Sequence, residues 1–105
     1  MIGRVLALMH DRVGEPWTLE SLAREAHVSR ATLARRFTET VGKPPLTYLG
    51  DWRMHVAAER LKHPTASVES IAREVGYSSE YAFNRAFSRH RGQPPGRYRR
   101  LAQAA

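Results

Sequence analysis

Glu20-Ser21-Leu22-Ala23-Arg24-Glu25 returns forty-nine positions later as Glu69-Ser70-Ile71-Ala72-Arg73-Glu74. Beyond these hexads, Arg35, Phe37, Gly42, Pro44, Pro45 and Tyr48 return fifty positions later as Arg85, Phe87, Gly92, Pro94, Pro95 and Tyr98. The second copy therefore holds one inserted residue between Glu74 and Phe83. It falls where His27-Val28-Ser29 faces Gly76-Tyr77-Ser78-Ser79. An extra residue inside a helix would turn every later side chain by about 100°, whereas a turn absorbs it. The insertion thus marks a turn between two helices in each copy.

The flanking residues support that pattern. In the first copy Thr18 is placed to cap a helix whose apolar stripe is Leu19, Leu22, Ala23 and Ala26. Ser29 caps a second helix carrying Leu33 and Phe37, which Gly42 and Pro44-Pro45 end. In the second copy Ser67 caps a helix with Val68, Ile71, Ala72 and Val75, and Gly76 supplies a left-handed turn residue. Ser78 or Ser79 caps the next helix, which holds Phe83 and Phe87 and closes at Gly92 and Pro94-Pro95. Each proline pair opens a further helix. Ahead of the repeat, Ile2, Val5, Leu6 and Met9 follow helical spacing. A short helix, a tight turn and a second helix form the helix-turn-helix unit, and two such units are expected here.

Between the copies, Leu46 to Lys62 contains no proline and a single glycine, Gly50. Leu49, Trp52 and Val56 make one apolar stripe, and Met54, Ala57, Ala58 and Leu61 make another on roughly the opposite side. A helix packed on both faces is expected, spacing the two readers so that both face one side of a duplex. The chain is accordingly divided into a first lobe (1–44), a linker helix (45–63) and a second lobe (64–105), together one DNA-binding domain of all-α class.

Charge points to a polyanionic partner. Seventeen basic residues, fifteen of them arginine, stand against ten acids, for a net charge of +7 in 105 residues. Arginine bias also follows from a genome rich in G and C, so position matters more than the total. No acid follows Glu80, while Arg85, Arg89, Arg91, Arg97, Arg99 and Arg100 do. A run of one sign is an electrostatic footprint for nucleic acid. The chain has no cysteine, which rules out disulfides and thiolate metal sites. No stretch suits a signal peptide or membrane span, and a cytoplasmic protein is expected.

On the second helix of each unit, core and outer faces separate by spacing. With Leu33 and Phe37 inward, Arg30, Ala31, Ala34, Arg35 and Thr38 face outward. With Phe83 and Phe87 inward, Glu80, Tyr81, Asn84, Arg85 and Ser88 do so. Arg35 and Arg85 match in the repeat and are the first candidates for forked contacts to base edges or phosphate. Arg30, Arg36 and Arg89 come next. Asn84 suits adenine or solvent. Glu80 suits cytosine N4 or the helix dipole. Tyr81 either stacks, touches a thymine methyl or covers the lobe. Ser29 and Ser79 either cap only or also aim backbone N–H groups at phosphate. Trp17, Tyr48, Trp52, Tyr77 and Tyr98 read first as core or lobe-edge residues. The first reader, with Ala31 and Ala34, is the poorer of the two.

The stretch Ile71-Ala72-Arg73-Glu74-Val75-Gly76-Tyr77-Ser78-Ser79, then Phe83-Asn84-Arg85-Ala86-Phe87 and Gly92-Gln93-Pro94-Pro95-Gly96-Arg97-Tyr98-Arg99, closely resembles the signature of the AraC/XylS family of bacterial transcription regulators. The resemblance covers nearly the whole chain. It implies a seven-helix fold whose two helix-turn-helix lobes, joined by a long linker helix, read adjacent major grooves. By the same resemblance Arg30, Ala31, Ala34 and Arg35, then Glu80, Tyr81, Ala82 and Arg85, are the base-contact positions. The family often has glycine at the first turn, where this chain has His27. Most members carry a further sensory or dimerisation domain, commonly N-terminal; the chain is read first as an output domain separated from one, with a short single-domain member that binds as a monomer as the alternative. RNA polymerase is a further partner that the family role implies.

Two rival readings stand beside this one. His55 and Glu59 sit four apart on a helix but lack a third ligand at metal-site spacing. No nucleophile–base pair or phosphate-cradling loop appears, so neither an enzyme, a metal nor a cofactor is expected. A basic helical module that docks acidic proteins, without specific DNA readout, is the remaining alternative.

Overall fold

The computed structural model describes residues 1–104, and Ala105, the end of the expected second lobe, lies outside the described residues. Seven helices and no strand are formed among the described residues. They are α1 (Ile2–Asp11), α2 (Leu19–Glu25), α3 (Arg30–Val41), α4 (Pro45–Leu61), α5 (Val68–Glu74), α6 (Glu80–Arg91) and α7 (Pro95–Ala104). The chain divides into two compact units, Met1–Trp52 and Arg53–Ala105, with the division inside α4.

Polar caps set the helix starts. Thr18 and Ser21 form a reciprocal capping box on α2, with Thr18 Oγ1 accepting the Ser21 N–H at 3.0 Å and Ser21 Oγ accepting the Thr18 N–H at 2.9 Å. Ser29, Ser67 and Ser79 each accept the N–H three residues on, at 3.1, 3.0 and 3.0 Å. Ser79 rather than Ser78 is therefore the cap of α6, and Ser78 is the additional turn residue. Gly42 (φ 93°) and Gly92 (φ 77°) end α3 and α6 in the left-handed region. Pro45 and Pro95 open α4 and α7, where the missing N–H costs nothing.

Each unit has its own core. In the first, α1 contributes Val5 and Met9, α2 Leu22 and Ala23, α3 Leu33 and Phe37, and α4 Leu49. In the second, α4 contributes Met54, Ala57, Ala58 and Leu61, α5 Ile71, Ala72 and the cap residue Val75, and α6 Phe83 and Phe87. The repeat is thus also a repeat of packing. Leu22, Ala23, Leu33 and Phe37 stand where Ile71, Ala72, Phe83 and Phe87 stand. Tyr48 meets the Phe37 ring edge-on at 5.8 Å, and Tyr98 meets Phe87 edge-on at 5.3 Å. These two tyrosines, with Trp17, Trp52 and Tyr77, are half-buried, as their lobe-edge reading required.

The linker differs from the sequence expectation in one respect. Val56 was grouped with Leu49 on one stripe, yet it packs against the cluster of Met54, Ala57, Ala58 and Leu61. The apolar surface of α4 is apportioned along its length rather than only by face. Residues up to Leu49 serve the first core, and those from Met54 onward serve the second.

The first turn holds a strained residue. After α2 the Val28 N–H reaches the Ala23 carbonyl at 3.1 Å, and after α5 the Tyr77 N–H reaches Ala72 at 2.9 Å. Closing either turn this way needs a left-handed residue, supplied by Gly76 (φ 94°) in the second unit but by His27 (φ 57°) in the first. A side chain pays roughly 1–2 kcal/mol to sit there, and glycine returns part of that through its looser unfolded chain. His27 is exposed, so little packing is lost on removing it. His27→Gly is expected to stabilise the first unit by about 0.5–1 kcal/mol, read as a higher denaturant midpoint; an unchanged or lower midpoint would contradict it. Gly76→Ala should destabilise the second unit, because a side chain is strained at φ 94° and its Cβ would also push the Arg53 guanidinium aside from 2.9 Å.

Candidate nucleic-acid interface

The outer faces of α3 and α6 carry the candidate residues, and the structure places them unequally. On α3, Ser29, Arg30, Ala31 and Arg35 are exposed and Ala34 is half-buried. Ser29 is occupied at the cap, its hydroxyl donating to Thr32 Oγ1 at 2.9 Å. Arg35 lies 3.8 Å from Glu39, an ion pair with both side chains more than half exposed. Such a pair is weak in water, but it does set an acid beside the arginine that was the first candidate. Thr38 turns its hydroxyl back onto the Ala34 carbonyl at 2.7 Å.

On α6, Tyr81, Asn84, Arg85 and Arg89 gather round one open hollow with Ser88 and Pro94. Tyr81, Arg85 and Arg89 also border a second hollow with Tyr77, Ala82 and Ala86. Tyr81 is 70% exposed, more than Met1, Leu46 or Leu101. The Arg85 guanidinium lies over its ring, 5.9 Å from the centroid. The Asn84 amide donates to the Glu80 carbonyl at 3.0 Å, so one of its two N–H groups is held by its own helix. Ser79 and Glu80 stand exposed at the first turn. There the N–H groups ahead of Ala82 have no intrahelical acceptor, a geometry suited to anions.

Acids elsewhere in the second unit are already matched. Glu69 pairs with Arg73 at 3.4 Å, Glu74 with Arg60 at 2.7 Å and Glu59 with Lys62 at 3.1 Å. The bond from Lys62, helped by the charges of His55 and Arg91, holds the Glu59 carboxyl below its ordinary pKa. Among the described residues neither Arg85 nor Arg89 forms an ion pair, and the spare positive charge of this unit is concentrated on α6 and α7.

Two arginines of the acid-free segment do not serve as footprint. Arg99 is turned inward: Nε donates to the Leu61 carbonyl at 2.9 Å and Nη2 to the Ala66 carbonyl. Arg91 is half-buried. The charge run includes both because a run carries no periodicity; Arg85, Arg89, Arg97 and Arg100 are the ones exposed.

Sequence reasoning missed Arg53. Its half-buried guanidinium packs against Gly76, and burial lowers its pKa, with the Tyr77 hydroxyl acting the other way. Burial likewise raises the Tyr77 phenol, while Arg53 and Arg89 oppose the shift. Tyr77 is therefore a neutral wall of the second hollow. No local signal marked Arg53, since its contact is made across more than twenty residues of chain.

Two helix-turn-helix units, each with a solvent-facing second helix, define a DNA-binding protein of the double helix-turn-helix class. A family model described as a helix-turn-helix domain matches residues 22–101, and the chain belongs to the AraC/XylS family of transcription regulators. An AraC-like transcription regulator of Streptomyces lividans is 46% identical over 100 residues, 95% of this chain and 33% of the relative. The RCS-specific HTH-type transcriptional activator RclR of Escherichia coli K12 is 43% identical over 105 residues, 99% of this chain and 37% of the relative. The chain thus spans about a third of the length of these relatives. Among solved structures, the DNA-binding domain of AdpA in complex with a target DNA is similar at a TM-score of 0.93 and 32% identity, covering 98% of this chain and 93% of that one. The C-terminal domain of AraT, a response regulator from Geobacillus stearothermophilus, gives 0.91 and 31%, covering 95% and 84%. This is a family of DNA-binding regulators rather than of enzymes. No helix among the described residues is long and apolar enough to cross a membrane.

Proposed function

We propose that the chain is the sequence-reading output domain of a transcription regulator, with α3 and α6 as recognition helices, each in its own major-groove segment. The contacts are assigned to Ser29, Arg30, Ala31, Ala34 and Arg35 on the first reader. On the second they are assigned to Ser79, Glu80, Tyr81, Asn84, Arg85 and Arg89. The observation that carries this is the outer face of α6, where two arginines without ion pairs flank an exposed tyrosine and a half-free amide. Forked arginines suit guanine edges, an asparagine suits adenine, and first-turn N–H groups suit phosphate. The likeness to AdpA bound to a target DNA supports the same reading. The greater length of the curated relatives supports a further sensory domain in the whole regulator. RNA polymerase at the promoter is the proposed protein partner, which puts the working protein on the cytoplasmic nucleoid.

The test is selection from a random duplex pool, followed by titration of the selected site at several salt concentrations. Two blocks of selected bases are expected, with log affinity falling against log salt at a slope of about −4 to −6, as for five to seven neutralised phosphates. Equal binding to any polyanion, without preference over random duplex, would overturn specific readout and leave a basic interaction module.

A further inference from the structure

The two readers match in fold but not in how they hold their shared arginine. Arg35 and Arg85 are repeat mates, yet the residues four before and four after them differ. Four residues after Arg35 stands Glu39, and four after Arg85 stands Arg89. Four residues before Arg35 stands Ala31, and four before Arg85 stands Tyr81. Residues four apart share a helix face, so these are the side chains each guanidinium meets. Arg35 is drawn toward a carboxylate at 3.8 Å, while Arg85 lies over an aromatic face at 5.9 Å.

We infer that Tyr81 is a positioning residue for specificity: its ring holds the Arg85 guanidinium in the orientation that selects guanine, so guanine discrimination resides in the second reader. The inference rests on α6 being a recognition helix. An unrestrained arginine has many rotamers to lose on docking to a base. A ring face 5.9 Å from the guanidinium carbon favours some of them beforehand, and because the attraction is to the π face it uses none of the N–H donors. The fork then meets guanine O6 and N7 with less lost freedom. Tyr81 has no packing role that would account for its ring. It contributes to neither core and is 70% exposed. Arg89 cannot compete for Arg85, since the two repel. In the first reader Ala31 offers no ring, and Glu39 competes with the base for the same fork.

The experiment compares wild type, Arg85→Ala, Tyr81→Phe and Tyr81→Ala by selection from a random duplex pool and by competition with single-base variants of the selected site. Arg85→Ala identifies the base pair that Arg85 reads. At that pair, Tyr81→Ala should lower the preference for guanine over adenine by about two- to fivefold, and Tyr81→Phe should retain it, because the ring and not the hydroxyl acts. Undiminished guanine preference in Tyr81→Ala would overturn the inference, and so would a loss confined to a neighbouring base pair, which would make Tyr81 a direct base contact. If wild type and Arg85→Ala select the same sequences, the reading of α6 itself fails and the inference falls with it; a selective change in Arg85→Ala without one in Tyr81→Ala fails the inference alone.

Discussion

Arg99→Ala is expected to cost the unit beginning at Arg53 about 2–4 kcal/mol, since hydrogen bonds from a charged donor are worth about 1.5–3 kcal/mol each and two sharing one side chain do not add fully. The guanidinium joins three parts of the chain. It sits on α7, caps the last carbonyl of α4 at Leu61 and ties down the loop before α5 through Ala66. A cation at that carbonyl end also suits the α4 dipole. Removing it leaves two partly buried carbonyls to find water. Arg99→Lys should recover less than half of the loss, because one ammonium replaces the planar fork. Arg97→Ala and Arg100→Ala, both exposed, should change little. Amide hydrogen exchange provides the measurement with an internal reference. Amides at Ala72, Phe83 and Phe87 should exchange thirtyfold faster or more, while those at Leu33 and Phe37 in the other core stay unchanged. Equal exchange in both units of Arg99→Ala would show that Arg99 is an ordinary surface residue.

That residue also marks where the sequence stops being legible. Periodicity and caps are local, and they place Thr18, Ser29, Ser67 and Ser79 and the facing phenylalanines without any knowledge of the fold. The repeat adds a second reading of each element, which is why the turn with its extra residue could be found at all. Arg99 and Arg53 are illegible for the opposite reason. Their partners lie 38, 33 and 23 residues away, and nothing near them in the chain announces a long-range contact. A charged side chain in a basic run reads as exposed until its partner is known. His27 is an intermediate case. The repeat aligns it with Gly76, but only the backbone shows that the histidine accepts the same left-handed geometry. On the outer faces, spacing assigns Tyr81, Asn84 and Arg85 to one side of α6 correctly, yet gives no hint that Arg85 leans on Tyr81 rather than on an acid.

Unequal tethering predicts unequal losses on DNA. Arg85→Ala should lower affinity for the selected site by about tenfold to a hundredfold, the range of a forked base contact worth roughly 1–3 kcal/mol, and should relax choice at one base pair. Arg35→Ala should cost about threefold or less, because Arg35 must first leave Glu39 and meets the duplex with an acid beside it. The same argument gives Glu39→Gln the opposite sign. It frees Arg35 and removes a negative charge from the face of α3 proposed to meet DNA, so affinity should rise about two- to fivefold, most at low salt where the repulsion is least screened. Fluorescence anisotropy on the selected duplex at two salt concentrations separates these outcomes. Similar losses for Arg35→Ala and Arg85→Ala, with no gain for Glu39→Gln, would mean that the two readers work alike and that the carboxylate swings clear before either arginine reaches its base.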